Sequence, residues 1–264
     1  MNPFTVWILT NISTVFTVKN KGGTTVNSYL SNAELKDKAK EKLTGHYGFL
    51  IGCTLLSSFL TYIVSVLFTN VYTYSNMAEF ALGEAISFLV SLFTGVLNVG
   101  LTLIYLKTAC GAPCSFSDLF SGYRNRFNIS LGVSFFRDLL SLMPGLAYAV
   151  PLSLFQLTGK VNYLYVSIGL LLVATVIYLP FYLMLSQCLF IMLDFPDKSV
   201  KEVLQFSAEI MKGQKKRLFV LILSFIPITL LACLSLIGVL WLTPYVNMTY
   251  TIFYLNLMQN FRKA

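Results

Sequence analysis

Charge is what this chain has least of. Of its 264 residues, 11% are Asp, Glu, Lys or Arg, 56% are hydrophobic, and the mean hydropathy is +0.72. An ordinary soluble domain carries about 25% charged residues. Nineteen basic and eleven acidic side chains are too few to cover a compact water-soluble fold or to solvate a disordered one. Histidine is nearly missing too: His46 stands alone, which argues against a His-based metal centre or catalytic triad. The five cysteines are sparse and odd in number, which excludes a disulfide scaffold. Cys110 and Cys114 lack two further ligands for zinc and read as incidental reduced thiols. No H-E-x-x-H, G-x-S-x-G or P-loop occurs, and no Asp pair falls in an apolar run. The expectation is therefore a protein that is not an enzyme, with no catalytic residue, metal or cofactor.

What is present is apolar sequence in long runs. A helix that crosses the hydrocarbon core needs about 20 apolar residues. Residues 47–78, 85–106, 139–159, 161–193 and 218–261 contain no Asp, Glu, Lys or Arg. Backbone groups in lipid must be satisfied within the segment, and runs this long do not show the short alternation of a barrel strand, so they predict helices. Span one is Phe49–Thr69, span two is 85–106 and span three is 139–159. Span four, 161–193, is too long for a straight crossing and predicts a kink at Pro180 or a continuation along the interface. The last run divides near Gly238 into span five, Leu218–Leu236, and span six, Val239–Met258, with Pro244 in the first turns of the latter. The predicted fold class is all-α: a polytopic membrane bundle of six transmembrane helices in three hairpins, with cytoplasmic interfacial helices.

The scarce cations are unevenly distributed. Seventeen of the nineteen Lys and Arg fall before span one, between spans two and three, between spans four and five, or after span six. Only Arg137 and Lys160 do not. Basic residues beside span ends set orientation, so both termini are expected in the cytoplasm of a multi-pass cell-membrane protein. The same clusters would attract anionic headgroups. Because every cluster abuts a span, the net charge of +8 gives no reason to invoke nucleic acid. Residues 1–30 read as an N-terminal extension. Its first 18 residues have no basic n-region, so no cleavable signal peptide is expected, and their two Asn and four Thr argue against a further span.

Residues 31–264 read as a single membrane domain, with repeat units 31–114, 115–198 and 199–264. Ser31, Ser115 and Ser199 lie at intervals of 84 residues. Each is followed three positions later by an acid, Glu34, Asp118 or Glu202, in the pattern of a capping box. Gly45, Gly122 and Gly213 are the predicted left-handed stops. Leu35, Ala39 and Leu43, and likewise Val203, Ser207 and Met211, recur every four residues and predict amphipathic helices for the membrane surface or the inner face of the bundle.

Polar residues within the spans are the functional candidates. Glu84, Asn98, Gln187 and Asn247 could line a polar interior, or simply join helices to one another. Arg137 and Asp138 precede 20 apolar residues, and the expectation is an interfacial pair that anchors span three. Lys212, Lys215 and Lys216 form a candidate cytoplasmic docking surface.

The stretch from Leu193 through Asp194, Phe195, Pro196, Asp197 and Lys198 to Ser199 is distinctive, as are Met211-Lys212-Gly213, Asp118-Leu119-Phe120-Ser121-Gly122 and Pro244-Tyr245. In these the chain resembles a bacterial integral membrane family catalogued as domain of unknown function 975, over roughly residues 33–258. The resemblance implies a six-span, cytoplasm-in membrane protein and carries over no activity or site residue. The leading expectation is a non-enzymatic scaffold, accessory or self-protection protein acting through a membrane or cytoplasmic protein partner. The alternative is a small-solute or ion permease, which requires polar side chains from several helices to converge on a cavity.

Overall fold

The structure is a computed structural model that describes residues 29–69 and 76–261. Expectations for residues 1–28, and for Lys19, Lys21, Arg262 and Lys263, lie outside the described residues. Every regular element among those described is helical. A short helix α1 (Asn32–Leu43) leads into two long ones, α2 (Tyr47–Thr69) and α3 (Met77–Cys110). A 3-10 turn η1 (Phe116–Phe120) and α4 (Ser121–Asn125) lead into α5 (Phe127–Thr158) and α6 (Asn162–Leu185), which α7 (Cys188–Asp194) extends. Then α8 (Val200–Ile210) leads into α9 (Lys215–Leu223), α10 (Ile226–Cys233) and α11 (Leu236–Phe261).

Among the described residues, five helical stretches are long and apolar enough to cross a membrane: Tyr47–Phe68, Met77–Cys110, Phe127–Thr158, Asn162–Asp194 and Lys215–Cys233. The sixth, α11, is equally free of charge but carries Asn247, Thr249, Tyr250, Thr251 and Asn256. A helix of this composition suits a protein interior better than lipid, and Met248, Thr249 and Thr251 to Met258 are buried. It packs against α1, α2, α3 and α10 and forms the centre of the bundle.

The capping signals are realised at the first and third short helices. Ser31 and Ser199 each accept from the backbone N–H of the acid three residues on, and Glu34 and Glu202 accept from the Ser31 and Ser199 backbone N–H groups at 2.7 Å. In the second copy only the reverse arm is made. Asp118 accepts from the Ser115 N–H at 2.9 Å, while the Ser115 hydroxyl pairs with Ser117. The shorter Asp side chain reaches the N-cap over a 3-10 turn instead of a full helix. Gly45 and Gly213 have φ of 82° and 80°, as a left-handed stop requires. Gly122 does not. It lies within α4, and a Cβ there would stand 2.6 Å from the Val96 carbonyl oxygen, so it is glycine because α3 passes close by.

Leu35, Ala39 and Leu43 of α1 are fully buried, as are Val203, Ser207 and Met211 in and after α8. Both predicted apolar faces turn inward, into one core with Cys110, Leu119, Met192, Phe253 and Leu257. Full burial of one Leu or Val side chain stabilises by about 1.5–3 kcal/mol. The short helices thus plug one end of the bundle.

Several boundaries differ from the sequence expectation. Span three begins at Phe127, not Leu139. The charged pair interrupts a charge-free run without interrupting the helix, because apolar residues 127–136 continue the same face. Arg137 and Asp138 therefore lie inside α5, about 15 Å from its start at 1.5 Å per residue, and not at the start of a helix. Span two begins at Met77, so Glu84 also lies within a helix. Pro180 does not break span four: α6 runs through it, and the break falls at Ser186–Gln187. Span five is two pieces, parted at Ser224–Phe225 just before Pro227, whose missing N–H leaves the preceding turn incomplete. The turn to span six is at Leu234–Ser235. Gly238 lies inside α11, where a Cβ would stand 2.9 Å from the Ala232 Cα.

Candidate functional site

Next to the plug, α2, α3, α5, α6, α7, α9 and α11 surround a cavity of about 730 Å³. Most of its lining residues carry a hydroxyl or an amide. Thr54, Ser57, Ser58, Thr61 and Ser65 of α2 recur at three- and four-residue spacing and form one face of that helix. Asn98, Thr102 and Tyr105 do the same on α3, as do Thr243, Asn247 and Thr251 on α11. Tyr182, Ser186 and Gln187 come from the end of α6 and the break that follows it. Tyr105, Leu189, Phe190 and Leu218 line the cavity and also belong to the apolar core, so they form its floor.

The polar lining is partly self-satisfied. Thr54, Thr102, Thr243 and Thr251 donate to the carbonyl four residues back, at 2.7–2.9 Å. The Thr54 and Tyr105 hydroxyls are 2.9 Å apart. Such back-bonds use the hydroxyl proton and leave the oxygen free to accept. Gln187 donates from Nε2 to Ser186 Oγ at 2.9 Å, while its Oε1 is buried with no hydrogen-bond partner. A buried amide oxygen without a donor costs about 1–3 kcal/mol.

Arg137 is the one charged residue in the lining. Among the described residues it makes no ion pair and no hydrogen bond. Asp138, next to it, faces α3 instead, where Ser91 Oγ donates to Oδ2 at 2.9 Å. A guanidinium presents five donors in a planar fork and suits carboxylate or phosphate oxygens.

Three of the four residues predicted for a polar interior therefore meet: Asn98, Gln187 and Asn247. Glu84 is not among them. It lies near the start of α3, 14 residues before Asn98, or about 21 Å along the helix. Arg137 joins the set in its place. The α2 hydroxyl stripe was missed, although its spacing is plain in the sequence, because single Ser and Thr residues are common inside membrane helices.

The plugged end carries the remaining polar contacts. Lys107 and Asp118 pair at 2.7 Å, and Arg126 donates to the Met192 carbonyl at 2.7 Å. Arg217 donates to the Leu30 carbonyl at 2.5 Å and to Asn256 Oδ1 at 2.7 Å. Lys36 donates to the Ser224 carbonyl at 3.0 Å, at the α9–α10 break, and sits 4.3 Å over the Phe225 ring. Burial there holds the Lys36 ammonium below its usual pKa. Tyr254 donates to buried Asp194. Lys212 and Lys216 are exposed and Lys215 is half-buried. No group of three or more metal-ligating side chains occurs among the described residues.

A family model described as a protein of unknown function, DUF975, matches residues 30–261. The chain belongs to the DUF975 family. The match spans α1 to α11, so the short helices and the long ones are parts of one family unit. No curated protein and no solved structure matches the chain. Five helices able to span a membrane make this DUF975 protein a multi-pass membrane protein.

Proposed function

We propose that the protein is a permease of the cell membrane that takes a small solute bearing an anionic group into the cavity around Arg137. The observation that carries this reading is the convergence of polar side chains from α2, α3, α6 and α11 and one guanidinium on a single cavity, with Arg137 about a third of the way along α5. A cation at the centre of the bilayer costs about 3 kcal/mol or more on insertion scales, so an arginine within a spanning helix calls for water or an anion beside it. The helix break at Ser186–Gln187 adds to the argument, since interrupted helices offer backbone groups to a substrate.

In this reading six segments cross as three hairpins: α2 with α3, α5 with α6–α7, and α9–α10 with α11. The sixth, α11, is tolerated because its polar side chains face the cavity or the core. The plugged end, with most of the basic residues, faces the cytoplasm together with both termini, and its lysines meet anionic headgroups. No catalytic chemistry is part of the reading. Docking of a protein partner on Lys212, Lys215 and Lys216 has less behind it: the apolar faces of α1 and α8 are packed inside, which leaves lysines without an apolar surface.

The test is counterflow across proteoliposomes, with labelled inorganic phosphate, glycerol 3-phosphate, glutamate and a short-chain anionic lipid. Exchange of at least one, lost in Arg137→Gln, is the expected result. No exchange of any of the four would contradict it.

A further inference from the structure

A second, apolar hollow of about 860 Å³ lies against the polar cavity. It is a groove between α2 and α3, lined by residues such as Val64, Leu67, Leu89, Val90 and Phe93. Thr61 lines both spaces. On α3 the two linings follow each other along the helix: Leu97 faces the groove, and Asn98 and Leu101 face the cavity. One side of the pair offers a guanidinium and hydroxyls. The other offers almost only hydrocarbon. Two separate solutes would not need such continuity, whereas one molecule with a charged head and an alkyl chain would.

We infer that the ligand of this site is an anionic lipid of the surrounding bilayer, with its headgroup on Arg137 and its acyl chain in the α2–α3 groove. The inference rests on the permease reading and names its substrate class. Charge complementarity selects the head: an anion next to a guanidinium gains more than a zwitterion, whose own cation opposes the arginine. The groove accepts a chain, because its apolar walls offer close packing contacts to an alkyl chain and desolvate no polar group. Glycerol hydroxyls on a phosphate head would find acceptors among the α2 hydroxyl oxygens.

Lipid retention by the purified full chain tests this, with phosphatidylglycerol and phosphatidylcholine supplied in equal amounts and bound lipid counted by native mass spectrometry. The expected result is a preference for phosphatidylglycerol of about tenfold or more, a difference well resolved as binding free energy. Arg137→Gln should bring the preference close to parity, and Arg137→Lys should recover part of it. Val90→Trp, which fills the groove, should weaken retention of phosphatidylglycerol while leaving the melting temperature unchanged. Glycerol 3-phosphate, which has the head without the chain, should fail to displace the lipid at equal concentration. An undiminished preference in Arg137→Gln, full retention in Val90→Trp, or displacement by glycerol 3-phosphate would each overturn the inference. Counterflow of glycerol 3-phosphate without lipid preference would overturn it and leave the permease standing; absence of all counterflow would remove the permease itself.

Discussion

Arg137 and Asp138 are neighbours on α5 and share a small hollow with Tyr178 and Tyr182, yet they make no ion pair, and beyond that hollow each reaches a different neighbour. Arg137 lines the polar cavity, and Asp138 accepts from Ser91 on α3 at 2.9 Å. Successive residues on a helix point about 100° apart, so the backbone itself separates the two charges. The carboxylate joins helices. The guanidinium is left to whatever enters the cavity.

The closest helix approach depends on one missing methyl group. A Cβ on Gly100 would stand 1.8 Å from the Leu119 carbonyl oxygen, a clash with backbone that no side-chain rotation relieves. Gly100→Ala should cost at least the 1–3 kcal/mol typical of overpacking and should lower the melting temperature in detergent by several degrees. Gly145→Ala and Gly169→Ala have nothing within 4 Å of the new atom and should leave the transition unchanged or slightly raised.

The capping boxes make a pH-dependent contribution. The Ser31 backbone N–H, and secondly its hydroxyl, hold the Glu34 carboxyl below the usual range, and Ser199 does the same for Glu202. A depressed carboxylate stabilises fully above its unfolded value of about 4.3, and that contribution is lost as pH falls through the folded value. Thermal melts from pH 7 down to 3 should show a smaller acid loss in a Glu34→Gln, Glu202→Gln double variant than in wild type. Ser31→Ala should cost about 1 kcal/mol at pH 7. Ser115→Ala should cost less, since that hydroxyl bonds Ser117 and not a helix N–H.

Arg217 ties the entry of α1 to the centre of the bundle. It reaches the Leu30 carbonyl and Asn256 Oδ1, and the Leu30 N–H donates to the same oxygen at 3.2 Å. The guanidinium also lies 5.1 Å from the centre of the Phe253 ring. Arg217→Ala strips a charged donor from two acceptors and should cost about 2–3 kcal/mol. Arg217→Lys should recover only part, because an ammonium can donate to both acceptors but lacks the planar face that lies on the Phe253 ring. Denaturation monitored by Trp fluorescence would rank the three proteins.

The long apolar runs made the membrane helices legible, and the serine–acid spacing made two of the three short helices legible down to their caps. Helix limits were less legible wherever charge stood in for hydropathy. Arg137 and Asp138 looked like the edge of a span because a charge-free run began after them, but a helix tolerates a charge when the bundle gives it a partner or a cavity. Prolines did not mark the break in span four. Pro180 sits inside a continuous helix, while the break at Ser186–Gln187 has no proline. Of the site, Asn98, Gln187 and Asn247 were readable as polar atoms within apolar spans. Their meeting was not, because it depends on which faces the packing of α11 turns toward α2, α3 and α6. Glu84 failed for the same reason: it lies on one of these helices, but too far along it.

The most direct test of the central claim is whether the cavity around Arg137 admits water at membrane depth. Cysteines placed singly at Asn98, Asn247, Val176 and Leu255, in a chain whose five native cysteines are replaced, would be exposed to a charged, water-soluble thiol reagent in sealed vesicles. Modification at 98 and 247 is predicted, with 176 on the apolar outer surface and 255 in the dry core left unmodified. Cysteines at 98 and 247 as inert as the one at 255 would mean a closed bundle, and would contradict the account.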